Sequence, residues 1–128
     1  MVSREADAGR EGHATEAIDR SYLARFTLGN IALEREVLQL FAEQLPRYVA
    51  QMRAADSDKE WKVAVHTIKG SALAVGAQRL AGAAQTAERL DLEAAPGDRA
   101  RLRRQAADAI AAAAEEASAY IACVFATA

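Results

Sequence analysis

The chain is 128 residues long and has a formal net charge of −2 at pH 7. This length predicts one domain around a single core, and the small net charge argues against a general nucleic-acid binder. Apolar runs stay below the roughly 18 residues of a membrane span, and the N-terminus lacks the apolar segment of a secretion signal. We therefore expect a cytoplasmic protein without nucleic-acid or membrane partners.

The residue composition favours helices over strands. Hydrophobic residues make up 52% of the chain but aromatic residues only 5%, and alanine supplies much of the rest. Alanine, glutamate and arginine are good helix formers, whereas the β-branched residues are too scattered for a sheet. The single cysteine, Cys123, leaves no internal disulfide or cysteine metal cluster, and its apolar surroundings predict a small buried side chain.

The N-terminal part of the chain divides into a tail and a short helix. Residues 1–15 are polar and aperiodic, so we expect a disordered tail there and one folded domain over 16–128. A short helix is predicted over about 18–27. It stops where Gly29 suits a helix end and Asn30 suits the N-cap of the next helix.

The second predicted helix runs from about 31 to 54. Pro46 lies inside its apolar pattern, which continues beyond the proline and therefore favours a kink over a split. The apolar stripe expected to face the core comprises Ile31, Leu33, Val37, Leu38, Phe41, Leu45, Val49 and Met52.

Three further helices complete the chain. Ser57 and Glu60 have the spacing of a capping box before a helix over about 58–75, and Gly76 suits the end of that helix. The next helix is predicted over about 77–93, with Gly82 as a packing glycine, and the last reaches about 125 after an Asp98 N-cap. Short loops make consecutive helices antiparallel neighbours. The predicted fold is all-α: an antiparallel, up-down-up-down four-helix bundle with a short extra N-terminal helix.

The helix over 58–75 has one apolar face and one unusual face. At about 100° per residue, its core stripe is Trp61, Ala64, Val65, Ile68, Ala72 and Val75. His66 and Gly70 fall on the side away from that stripe. Lys62, Lys69 and Leu73 fall on the same outward side, so the sequence predicts an exposed histidine between two lysines.

The outward face offers a specific chemistry. An uncharged imidazole is a nucleophile that can take a phosphoryl group, as His66 would. Lys69 can reach phosphoryl oxygens as a mobile positive charge, and Gly70 leaves space beside the ring for a partner's active site. An exposed histidine is more often solvated and idle, and a helix glycine can serve close packing. The outward position of Gly70 argues against packing.

These residues carry a family resemblance. The stretch "HTIKGSALAVGAQRL" resembles the signature of histidine-containing phosphotransfer (HPt) domains, with His-x-x-Lys-Gly followed by a glycine and a leucine at Gly76 and Leu80. The upstream stretch "FAEQLPRYVAQMRAADSDKEWKVAVHTIKG" is similar to the family as well. With the weaker "IDRSYLARF…GN" start, the resemblance covers about residues 17–93, and the last helix matches only in length and character.

The resemblance implies a carrier in a two-component phosphorelay. His66 would accept a phosphoryl group from the aspartyl-phosphate of a response-regulator receiver domain and pass it to another receiver. Lys69 would steady that group, Gly70 would admit the receiver, and Lys62 and Leu73 would contact it. The relay would connect through receivers to a hybrid histidine kinase. The chain itself would be a monomer. It would hold no cofactor or metal, because the Mg²⁺ would belong to the receiver. It would not be an enzyme, because the sequence lacks a nucleotide-binding loop.

The sequence leaves open two alternative functions and the role of one arginine cluster. The first alternative is a non-catalytic helical adaptor or anti-regulator with the same bundle fold. The second, a metal- or haem-binding bundle, is weak, because this sequence lacks the inward Glu-x-x-His ligand sets of such bundles. The arginine cluster at the start of the last helix lies where the helix dipole disfavours cations. It is interpreted as a solvated face beside acids such as Asp91 and Glu93, or as a second contact surface; its members are Arg99, Arg101, Arg103 and Arg104.

Overall fold

The computed structural model describes residues 17–126, which form five helices and no strand. The helices are α1 (Arg20–Thr27), α2 (Ile31–Arg53), α3 (Asp58–Val75), α4 (Gln78–Glu93) and α5 (Arg99–Ala126). The tail predicted over 1–15 lies outside the described residues. No helix in the described part is long and apolar enough to cross a membrane.

Helices α2 to α5 form a four-helix bundle in which each helix packs against two others. Helix α2 lies against α3 and α5, and α4 lies against the same two helices from the opposite corner. Two ion pairs join α4 and α5 and show that the two helices run antiparallel: Arg79 with Glu116, and Arg103 with Asp91. Helix α1 packs on α2 and α3. The predicted all-α bundle with a short extra helix is confirmed.

Two of the predicted N-caps, Asn30 and Ser57, set the starts of α2 and α3. The Asn30 side chain accepts a hydrogen bond from the backbone N–H of Leu33 at 3.0 Å, and the Ser57 hydroxyl accepts one from Glu60 N–H at 3.1 Å. The Glu60 carboxylate in turn accepts from the backbone N–H of Asp56 at 2.8 Å. Each cap satisfies backbone donors that have no partner inside the helix. Helix α2 runs unbroken through Pro46.

The turn after α3 is tied to the start of α1. Gly76 has a φ of +80°, and its carbonyl accepts a hydrogen bond from Asp19 N–H at 2.8 Å. A Cβ on Gly76 would lie 2.8 Å from the Asp19 carbonyl oxygen. This glycine therefore supplies both a left-handed backbone and a close chain approach.

The core confirms the predicted stripe of α3 and corrects the one in α2. All six predicted α3 residues are buried. In α2, Ile31 and Leu33 are 69% and 41% exposed, so their assignment to the core is wrong. Glu34 takes the inward position, because it shares the helical spacing of Leu38 and Phe41. Its carboxylate is paired with Arg20 at 3.6 Å.

Two smaller predictions are also wrong. Cys123 is exposed, because it follows the buried Ile121 by two residues and so points away from the core side of α5. Gly82 is exposed as well, and a Cβ on it would meet no atom within 4 Å. It is therefore not a close-packing glycine.

Candidate functional site

His66 lies midway along α3, on the side that faces away from the core. Its neighbours Val65 and Ile68 are fully buried, which fixes the rotation of the helix. The His66 side chain is 72% exposed. The predicted exposure of this ring is confirmed, and a partner molecule can reach it without any rearrangement of the bundle.

A carboxylate from the next helix joins His66 and Lys69. Nδ1 of His66 lies 3.3 Å from Oε2 of Glu88, and Nζ of Lys69 lies 2.7 Å from Oε1 of the same residue. Glu88 belongs to α4 and its side chain is only 28% exposed. Three residues from two helices thus form one hydrogen-bonded group.

The electrostatics of this group favour an ionised Glu88. Partial burial acts to raise the pKa of the Glu88 carboxyl, but the hydrogen bonds from Lys69 and His66 and their charges outweigh it and hold the pKa below its ordinary value. Glu88 was not predicted from the sequence. It stands 22 positions after His66, and no local motif marks it.

Gly70 leaves open space one turn after His66. The residue is exposed, and a Cβ built on it would meet no atom within 4 Å. The interpretation of this glycine as a packing residue is therefore wrong. The space beside the ring stays clear for an incoming group.

The structure separates the two residues predicted to bind a partner. Lys62 is exposed and lines a cavity of about 400 Å³ between α3 and α4, together with His66 and Glu88. Two exposed apolar side chains, Val63 and Leu92, line the same cavity and were not predicted. Leu73 is half exposed but lies outside this cavity, two turns beyond His66 on α3.

The arginine cluster is not the uniform solvated face that its charge suggested. Arg103 is largely buried and binds Asp91, whose side chain is 5% exposed, while Arg99 lies 3.8 Å from the same carboxylate. Because a buried carboxylate needs a cationic partner, the packing draws these two arginines inward. Arg101 and Arg104 remain exposed. The second contact surface stays a prediction.

Within residues 17–126, no group of three or more His, Cys, Asp or Glu side chains is placed to hold a metal ion. The side chains that the site brings together are an accessible imidazole, an ammonium group, and a carboxylate that contacts both.

Comparison with known families gives one match. The model of the Hpt domain matches residues 36–119, which is more than half of the chain. The match begins inside α2 and extends through most of α5, whereas the resemblance in the sequence ran from about 17 to 93. No curated protein and no solved structure matches the chain.

Proposed function

Because the chain belongs to the Hpt domain family, whose members serve phosphorelays as phosphoryl carriers, we propose that His66 carries a phosphoryl group between receiver aspartates. The donors and acceptors would be the receiver domains of response regulators, connected to a hybrid histidine kinase. The observation that carries the proposal is the exposed imidazole of His66, with Lys69 and Gly70 at the family's spacing.

Each transfer exchanges one bond to phosphorus for another. A ring nitrogen of His66 attacks the phosphorus of the receiver's aspartyl-phosphate, and a P–N bond forms while the P–O bond to the aspartate breaks. The aspartate carboxylate leaves with the electron pair of that bond. Onward transfer is the reverse reaction with a second receiver. The Mg²⁺ of either step belongs to the receiver.

Lys69 has a supporting role in this reaction. Its ammonium group has three N–H donors, and the contact with Glu88 at 2.7 Å uses one of them. The others are available to phosphoryl oxygens, whose negative charge the lysine would stabilise. Lys69 forms no bond to phosphorus, so it lowers the barrier without being indispensable.

The receiver would approach over Gly70, with Lys62 and Leu73 as contacts at the two sides of His66. The alternative of a non-catalytic adaptor gives no role to the open space at Gly70. A carrier needs that space, because the receiver's active site must close over the ring. We propose a cytoplasmic, monomeric carrier that has no kinase activity of its own.

A transfer experiment tests the proposal. The chain is incubated with a receiver domain phosphorylated beforehand, and the phosphate on the chain is measured, with acid-labile and alkali-stable phosphate as the mark of phosphohistidine. His66→Gln should accept none while keeping its helicity. His13→Gln is the matched control, because the chain has only two histidines, and it should accept phosphate normally. Binding of receivers without any phosphate transfer would favour the adaptor instead.

A further inference from the structure

We propose that the cavity between α3 and α4 binds a small amphipathic anion, with an apolar body between the two helices and a carboxylate beside Lys62. The cavity has a volume of about 400 Å³, and His66 forms part of its lining. Binding at this place is independent of the proposed function. Its consequence rests on that function, because a bound molecule covers one side of the ring that would take part in phosphoryl transfer.

The walls of the cavity are largely apolar. Trp61 and Val65 are buried residues of α3, and Val63 and Leu92 complete the apolar lining from α3 and α4. Val63 is 57% exposed and Leu92 is 76% exposed, so two large apolar side chains meet water at the mouth. An apolar ligand body would remove part of this surface from water, which favours binding. Clefts of this volume between the helices of a bundle are typical small-molecule sites.

The charged groups around the cavity leave one cation for a ligand. Two carboxylates belong to the lining, and each already has a cationic partner. Nζ of Lys69 lies 2.7 Å from the Glu88 carboxylate. Nε of Arg103 lies 2.7 Å from the Asp91 carboxylate. Lys62 also lines the cavity, is exposed, and makes no ion pair within the described part of the chain.

These features define the chemical class of the ligand. One unpaired ammonium group matches a singly charged carboxylate better than a doubly charged phosphate, and its N–H groups can donate to both carboxylate oxygens. The apolar walls require an aliphatic or aromatic body. An uncharged apolar molecule would leave Lys62 unused, and a cation would be repelled by it. The ligand is therefore a small carboxylic acid in its ionised form, for which octanoate is a suitable probe.

The test titrates the whole chain with three probes that share one alkyl chain: octanoate, octanol and octylammonium. Trp61 is the only tryptophan of the chain and lies on the cavity wall, so its fluorescence reports binding there. Methyl NMR signals of Val63 and Leu92 give a second readout. Octanoate should bind most tightly, octanol about threefold more weakly, and octylammonium more weakly still. Added salt should weaken the binding of octanoate but not that of octanol.

Three variants assign the two parts of the site. Lys62→Gln should reduce the affinity for octanoate to that for octanol. Lys59→Gln is the matched control, because Lys59 is an exposed lysine of α3 outside the cavity lining, and it should bind octanoate as the parent does. Leu92→Gln should weaken octanoate and octanol alike, by about fivefold. Circular dichroism establishes that each variant is folded.

The outcomes separate the ligand site from the proposed function. Equal affinities of the parent for octanoate and octanol, or octanoate binding unchanged by Lys62→Gln, would overturn the anion site. A lack of response in both fluorescence and methyl signals would overturn it as well, and would leave the cavity to a side chain of a partner protein.

The consequence for transfer has its own measurement. Octanoate should slow phosphorylation of the parent by a phosphorylated receiver, and should do so much less in Leu92→Gln. A parent chain that binds octanoate through Lys62 but accepts no phosphate from receivers would overturn the proposed function and support the ligand site. Undiminished transfer at saturating octanoate would show that the ligand does not cover the ring, and would overturn this consequence.

Discussion

Arg103 binds the carboxylate of Asp91 through two hydrogen bonds, from Nε to Oδ1 at 2.7 Å and from Nη2 to Oδ2 at 3.1 Å. The same guanidinium group reaches Asp58 at 3.0 Å and lies over the ring of Trp61, 5.4 Å from its centroid. It thus joins the start of α3, the end of α4 and the start of α5. Asp91 and Trp61 also line the cavity beside His66, so this cluster supports one wall of the site.

Removal of Arg103 should strongly destabilise the bundle. Arg103→Ala leaves Asp91 charged, buried and without its two-point partner, and the loss of one member of such a pair costs about 3 kcal/mol. The measurement is urea unfolding followed by circular dichroism. Arg104→Ala is the matched control, because Arg104 is the exposed next residue of α5, and it should change the free energy of unfolding by less than about 0.5 kcal/mol. Equal effects of the two substitutions would contradict the structural role of Arg103.

The features of the site that depend on α3 alone were predicted from the sequence. The periodicity of α3 gave the rotation of the helix, and with it the exposure of His66 and the open space at Gly70. Glu88 was missed, and Asp91 was named only as an acid beside a solvated arginine face, because the roles of both residues depend on how α4 and α5 rotate against their neighbours. Hydrophobic spacing identifies the core face of each helix, but it does not specify which polar residues at the edges of two faces will meet.

The wrong core assignment at the start of α2 also arose because contacts between helices cannot be read from hydrophobic spacing. Leu33 was assigned to the core because it is apolar, whereas the inward position belongs to Glu34. A carboxylate can occupy such a position when neighbouring helices supply partners, here Arg20 and the hydroxyl of Thr27. Those partners come from α1, whose packing on α2 cannot be read from either helix alone.

Lys69→Ala should slow phosphoryl transfer without abolishing it. In the proposed transfer the lysine would stabilise charge on the phosphoryl group without bonding to it, so the loss should be about tenfold to a hundredfold in rate. The measurement is the rate of transfer from a phosphorylated receiver at low salt. Lys59→Ala, which removes an exposed lysine near the start of α3, is the control and should transfer at the parental rate. A Lys69→Ala chain as fast as this control would remove Lys69 from the site.

Gly76→Ala should destabilise the fold, and a second glycine allows its two causes to be separated. Gly76 and Gly29 both have positive φ, +80° and +76°, so alanine is strained at either position. Only at Gly76 would the new Cβ also press against backbone, 2.8 Å from the Asp19 carbonyl oxygen. We expect a loss of about 1 kcal/mol for Gly29→Ala and of about 3 kcal/mol for Gly76→Ala. Similar losses in urea unfolding would show that α1 yields readily at this contact.

The last prediction concerns Gly70, which occupies a helical position with open space around it. Alanine is a better helix former than glycine, so Gly70→Ala should raise the free energy of unfolding by up to about 1 kcal/mol. Gly82→Ala should give a similar gain, because Gly82 is also helical, exposed and uncrowded. Unfolding of Gly70→Ala would mean that the glycine packs against a neighbour after all.

A longer side chain at Gly70 should separate access from reactivity. Gly70→Gln adds bulk one turn from His66, on the side where we propose that a receiver approaches, while the ring remains exposed to small molecules. Transfer from a phosphorylated receiver should therefore fall steeply, whereas phosphorylation of His66 by phosphoramidate should fall much less. Gly82→Gln introduces the same side chain on α4, away from the ring, and should leave both reactions unchanged. If Gly70→Gln accepts phosphate from receivers as fast as Gly82→Gln does, the receiver does not approach over Gly70, and the open space there has no part in docking.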